Sequence, residues 1–192
     1  MSSDFPGHPN ARRLVPPPGY HGELEVLSSP FDIQGHLSIE RRDARTHKLI
    51  SRWEKRNTIV HGAAQLIGQL LAPNAAFGVD VQNQSQLRSM RFGSDNTTPQ
   101  RTDTDLGAPL ISLFLADTDR TISAATYEFR CLMDSATGNG QTYREAAIFS
   151  RGDSDDPNTT VGSTMFNRQI FPDQDKDSFT ELLFRWRLLL SY

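Results

Sequence analysis

Apolar and polar residues alternate from Ile33 onward, and this period of two runs through most of the chain. Successive side chains on a strand point to opposite faces, so sustained alternation predicts strands with one buried face. Leu37 and Ile39 alternate with polar neighbours, residues 42–46 supply a turn, and residues 49–53 read as the return strand of a hairpin. The period then changes. Ile59, Ala63, Leu66, Ile67, Leu70 and Leu71 recur at helical spacing, predicting a helix from about Thr58 to Ala72 that Pro73 and Asn74 end. Gly62 and Gly68 each cost such a helix about 1 kcal/mol against alanine, which points to close packing on a sheet or another subunit. Further strands are expected over 87–92, 109–115, 121–133, 141–150, 164–171 and 179–192, separated by loops of Gly, Asp, Asn and Pro. Within 121–133, Ala125, Tyr127, Phe129, Cys131 and Met133 share one face; in the last strand Phe184, Trp186, Leu188, Leu190 and Tyr192 do so, with Arg185, Arg187 and Leu189 opposite. Many short strands with turn signals between them predict a mainly β fold, an antiparallel β-sandwich with one packed α-helix. The last strand is apolar on both faces, so it is expected either centrally in the sheet or at a subunit contact.

Residues 1–31 break the pattern. Six prolines and three glycines exclude a regular helix or an interior strand over most of this stretch and favour extended backbone. Apolar residues are nevertheless spaced through it, and residues 23–26 alternate briefly, as a strand added to a partner's sheet edge would. The alternative is an unstructured tail. The spaced anchors favour an extended N-terminal arm over 1–31 whose partner-binding residues are Phe5, Arg12, Arg13, Leu14, Tyr20, Leu24 and Phe31, followed by one β domain over 32–192.

Composition narrows the function classes. A chain of 192 residues suffices for one well-buried domain. A net charge of -3 and a pI of about 5.9 give no footprint for duplex nucleic acid. A mean hydropathy of -0.51 suits a protein whose loops and arm are satisfied by neighbouring subunits. The single cysteine, Cys131, excludes an intrachain disulfide and fits a small core hydrophobe in a reducing cytoplasm. No apolar run approaches the ~20 residues of a membrane span, and no secretion signal opens the chain.

Reactive constellations are weak. Asp173 to Asp177 lacks the glycine and glutamate of a calcium loop, with Ser178 and Phe184 in their places, and reads as a solvated turn. Asp153, Asp155 and Asp156 have no second ligand set, and the triplet Arg151-Gly152-Asp153 reads as chance. The five histidines lack metal-ligand spacing, so no metal and no cofactor is expected. Glu128 and Glu145 could form a carboxylate pair for glycan cleavage, but cross-strand ion pairs on a solvent face, with Glu145 beside Arg144 and Glu128 near Arg130, explain them better. Trp53 and Trp186 would serve a carbohydrate-binding module only if exposed.

The segment from Leu87 to Leu106 is the most distinctive. A short alternating strand runs into a loop in which Gly93 is free to take φ > 0, Asp95 and Asn96 can bond their own backbone and Pro99 fixes φ, so it is a built turn. With this loop (Gly93, Thr97, Thr98, Pro99), the turn at Asp103, Thr104 and Leu106, the strands Arg144 to Phe149 and Met165 to Pro172, the closing strand Phe184 to Leu188 and the lead-in Trp53 to Asn57, the chain resembles small structural proteins of tailed bacteriophages over roughly residues 37 to 192. Ala147 stands where those proteins usually have glycine, and Ser94-Asp95 replaces a usual Thr-Gly.

The resemblance implies a non-enzymatic virion protein of the tail, baseplate or fibre-attachment apparatus, assembled in the host bacterial cytoplasm. Its partners would be other virion proteins and further copies of itself, with no nucleic acid, membrane or small-molecule substrate. A capsid cement or decoration protein bridging major capsid subunits is the second structural expectation. A tail-associated glycan hydrolase or carbohydrate-binding module is the rival from another class.

Overall fold

The computed structural model describes residues 32–71, 86–151 and 162–191. These form nine strands: β1 (Asp32–Asp43), β2 (Leu49–Ile59), β3 (Leu87–Gly93), β4 (Pro109–Phe114), β5 (Arg120–Ser123), β6 (Thr126–Met133), β7 (Gln141–Ser150), β8 (Met165–Lys176) and β9 (Thr180–Ser191). One α-helix, α1 (His61–Leu71), follows β2. All pairings are antiparallel, in the single order β4-β3-β7-β8-β2-β1-β9-β6-β5. The mainly β antiparallel character and the lone helix match the alternation in the sequence. In place of two separate sheets there is one, which curls on itself.

β2 makes the curl. Its residues up to Asn57 pair with β1, while Thr58 and Ile59 pair with β8, so one strand passes from one half of the sheet to the other. At this corner the Asn57 side chain occupies the space where a Cβ on Gly35 would sit, so only glycine fits opposite it. The pairing of Thr58 and Ile59 also delays the helix to His61. Gly62 then lies against the main chain of Met165 with no room for a Cβ, as the expected close packing requires.

The inner faces of the two halves meet in one core. Leu37 and Ile39 of β1, Cys131 and Met133 of β6, and Phe184 and Trp186 of β9 pack with Met90, Phe92, Tyr143, Ile148 and Phe171 of the other half. Phe92 and Phe184 join the halves with ring centroids 4.5 Å apart, and Phe171 lies 6.0 Å from Phe184. Ala63 and Leu66 of α1 enter the same core. β9 is paired on both edges, so the central placement of the last strand is the one found.

Two boundaries differ from expectation. The single strand expected over 121–133 is a hairpin, β5 and β6, turning at Ala124 and Ala125 with Ala124 at φ 50°. Neither alanine is a turn residue, so composition carried no signal there. The solvated turn expected over 173–177 begins only at Asp177, because β8 continues to Lys176, which is buried with Nζ donating to Asn139 Oδ1 and the Asp177 carbonyl. Burial lowers that ammonium's pKa from its ordinary value. Residues 72–85, residues 152–161 with their aspartates, and the arm over 1–31 lie outside the described residues.

Candidate functional site

The outer faces of the two halves are built differently. On the β4-β3-β7-β8 half, the β3–β4 loop folds back over the sheet and is held by a buried ion cluster. Arg168 of β8 is 4 % exposed and Glu145 of β7 is fully buried. The guanidinium donates to Glu145 Oε2 (2.9 Å), Asp103 Oδ2 (2.7 Å) and Asp95 Oδ2 (2.9 Å). Glu145 also accepts main-chain N–H bonds from Ala108 (2.9 Å), Gly107 (3.2 Å) and Asp95 (3.3 Å). Burial opposes the charge on Arg168, but its bonds to Asp103 and Glu145 outweigh that and raise its pKa. Hydrogen bonds from Thr97, with the nearby Arg168, hold Asp95 below the ordinary carboxylate value.

A β-bulge puts Glu145 there. Strict alternation would place it on the same face as Tyr143, which is in the core, but the register shifts between Tyr143 and Glu145 and turns the carboxylate outward under the loop. The expected solvent-face pairing of Glu145 with Arg144 is therefore wrong: Arg144 pairs with Asp173 at 2.8 Å instead. The loop is fixed at further points. Leu106 packs with Val60, Ala147, Phe149 and Met165 in a second apolar cluster, and the Arg101 carbonyl accepts the His61 N–H at the start of α1 (2.8 Å). Asp95 bonds the Thr97 N–H and hydroxyl, as its turn chemistry predicts. Gly93 has no positive φ; it is required because a Cβ would strike Glu145 and the Ala108 carbonyl. Ala147 lies in register between Arg91 and Arg168, and Arg91 stacks over Phe149 at 3.9 Å from the ring centroid.

On the β2-β1-β9-β6 half the outer face carries rows of charge. Glu128, Arg187, His36 and Arg56 are in register across β6, β9, β1 and β2; the next row is Arg130, Arg185, Ser38 and Glu54, and the next Leu132, Leu183, Glu40 and Arg52. Ion pairs link Arg187 to Glu128 (2.7 Å), Arg52 to Glu54 (2.8 Å) and Arg185 to Glu40 (3.6 Å), and Glu40 also binds Arg42. Burial works against the charge on Glu40, but the Arg42 hydrogen bond and the charges of Arg185, Arg42 and Arg52 hold its pKa below the ordinary value. Arginines outnumber acids here. Arg130 stands directly opposite Arg185, and Arg56 and Arg130 make no ion pair among the described residues. A shallow groove of about 440 Å³ runs along this face, lined by His36, Arg52, Glu54, Arg185 and Arg187 among others.

The carboxylates considered for catalysis are thus far apart in role: Glu145 is enclosed in the clamp, and Glu128 makes a cross-strand ion pair on the solvent face, as expected, with Arg187 of β9. Trp186 is fully buried, and Trp53 is half-buried against Phe171 at 5.9 Å, so neither forms an exposed platform. Cys131 is buried, and desolvation pushes its thiol pKa up to about 12, consistent with a core hydrophobe. No group of three or more potential metal ligands occurs among the described residues, and no helix there is long and apolar enough to cross a membrane. All seven predicted arm residues, Phe5, Arg12, Arg13, Leu14, Tyr20, Leu24 and Phe31, lie outside the described residues. Sequence reasoning missed Arg168 and the charged rows, because each needs strand register before its members become neighbours. No family model, curated protein or solved structure matches the chain.

Proposed function

We propose that this chain is a non-enzymatic structural protein of a tailed bacteriophage virion, assembling in the tail, baseplate or fibre-attachment apparatus. Besides the resemblance, one observation carries the reading: of the two carboxylates considered for a reactive site, Glu145 is engaged in holding the β3–β4 loop and Glu128 is paired with Arg187, on an open face that carries excess arginine. Such a face suits an acidic surface on another virion protein, where matched charges fix orientation and register. The body acts as a sandwich-like block, and the arm over 1–31 fastens it to neighbours through many weak contacts multiplied by copy number.

A shell location, as a cement protein bridging major capsid subunits, is the second reading and differs in stoichiometry. Quantitative mass spectrometry of purified particles separates the two. The tail reading expects a few per cent of the major capsid protein's copy number, on the order of a tail component's share; near-equal copies would place the chain on the shell. Absence from the particle overturns both.

A further inference from the structure

Among the described residues the sheet has two unpaired edges, and they are not alike. β5 is four residues long, and its Arg120 is ion-paired to Asp117. Short, charged strands are what proteins use to keep an edge from pairing. β4 has neither protection: no residue from Leu106 to Ala116 carries a charge, and its only proline is the first residue of the strand. Leu110 and Phe114 are 42 % and 39 % exposed on one side of β4, while Ile111 and Leu113 pack against the core on the other.

The strand is also self-complementary. Leu115 N–H bonds the Arg88 carbonyl on β3, so by antiparallel alternation the main-chain groups of Ser112 and Phe114 face the open edge, while the register shift between Ile111 and Pro109 leaves Leu110 unpaired with β3. Read in opposite directions and centred on Ser112, two copies of β4 place Leu110 opposite Phe114 and Ile111 opposite Leu113. Exposed apolar residues then cover exposed ones, core-facing residues meet core-facing ones, and Ser112 meets Ser112 in a hydrogen-bonded pair that exchanges two N–H···O bonds. A two-fold contact of this kind is closed and adds no further free edge of β4.

We propose that two copies of this chain associate edge to edge through β4, in the register that sets Ser112 opposite Ser112 of the second copy. This names the surface for the self-association included in the virion reading, and its failure leaves that reading intact. The test is sedimentation equilibrium of the full chain. The expected species is a dimer of twice 21.5 kDa, with Leu110→Lys and, separately, Phe114→Lys raising its dissociation constant by at least about tenfold while unfolding at the wild-type temperature. Leu24→Lys with Val26→Lys, which targets the arm as an alternative occupant of the edge, is expected to leave the dimer unchanged. A monomeric wild type, folded β4 variants that still dimerise, or loss of the dimer in the arm variant would each overturn the proposal. Should both β4 variants fail to fold, amide exchange on the wild type decides: the N–H groups of Ser112 and Phe114 should slow as concentration rises, and concentration-independent exchange would contradict edge pairing. Absence from particles would sink the virion reading while leaving a measured dimer in place.

Discussion

The two outer faces of the curled sheet use the same residue types to opposite ends. Over β7 and β8, Arg168 and Glu145 are desolvated, multiply hydrogen-bonded and sealed by a loop. Across β2, β1, β9 and β6, arginines and glutamates stand in register; Glu40 is buried, but Arg52, Arg56, Arg130 and Arg187 are exposed. Burial multiplies the consequence of removing a partner, because an unpaired charge left in a dry site costs far more than one left in solvent. The covered face is therefore where mutations should unfold the protein, and the open face where they should change what it binds.

Substitutions graded by size sharpen this contrast. Glu145→Ala leaves Arg168 without its buried partner and three main-chain N–H groups without an acceptor. It should destabilise by about 3–5 kcal/mol in denaturant unfolding, an effect an exposed pair cannot produce. Leu106→Ala empties part of the cluster beneath the loop and should cost about 2–3 kcal/mol. Ala124→Gly, in the β5–β6 turn, should instead stabilise by about 1 kcal/mol, because the φ of 50° is penalised for alanine and free for glycine. On the open face, Glu128→Ala should change stability by less than about 1 kcal/mol, since its pair with Arg187 is solvated. A Glu128→Ala loss as large as that of Glu145→Ala would erase the distinction.

Acid should act on the covered face in a defined direction. Asp95 is depressed below its ordinary value of 3.8, so its contribution is full above that pH and is lost as pH falls through the lowered value. Amide exchange in the 94–108 loop should accelerate below about pH 4 before the core strands respond. Unchanged loop protection there would show that Asp95 does not hold the loop.

What could be read from the sequence follows the range of the interactions involved. The strands, the helix, the Asp43 turn and the core faces of β6 and β9 were legible, because period-two alternation and turn residues are local signals. The β5–β6 turn was not, since two alanines carry no turn chemistry. Glu145 was misplaced because the β3–β4 loop covers the outer face on which it stands, and that contact between distant residues leaves no local mark. Of the sandwich expectation, the mainly β antiparallel character and the packed helix were legible and the single curled sheet was not: β2 changes partners between Asn57 and Thr58, and only pairing distinguishes two sheets from one that curls. The loop from Gly93 to Leu106 stood out as built, but its clamp, Arg168, is distant in sequence and joins it only through register.

The most direct test of the division between a sealed structural face and an open assembly face is arginine-selective labelling of the chain, free in solution and within purified particles, read residue by residue by mass spectrometry. The prediction is that Arg52, Arg56, Arg130 and Arg187 react in the free chain and become protected in the particle, while Arg168 is unreactive in both. Open-face arginines that stay equally reactive in the particle, or an Arg168 that labels readily in the folded free chain, would contradict it.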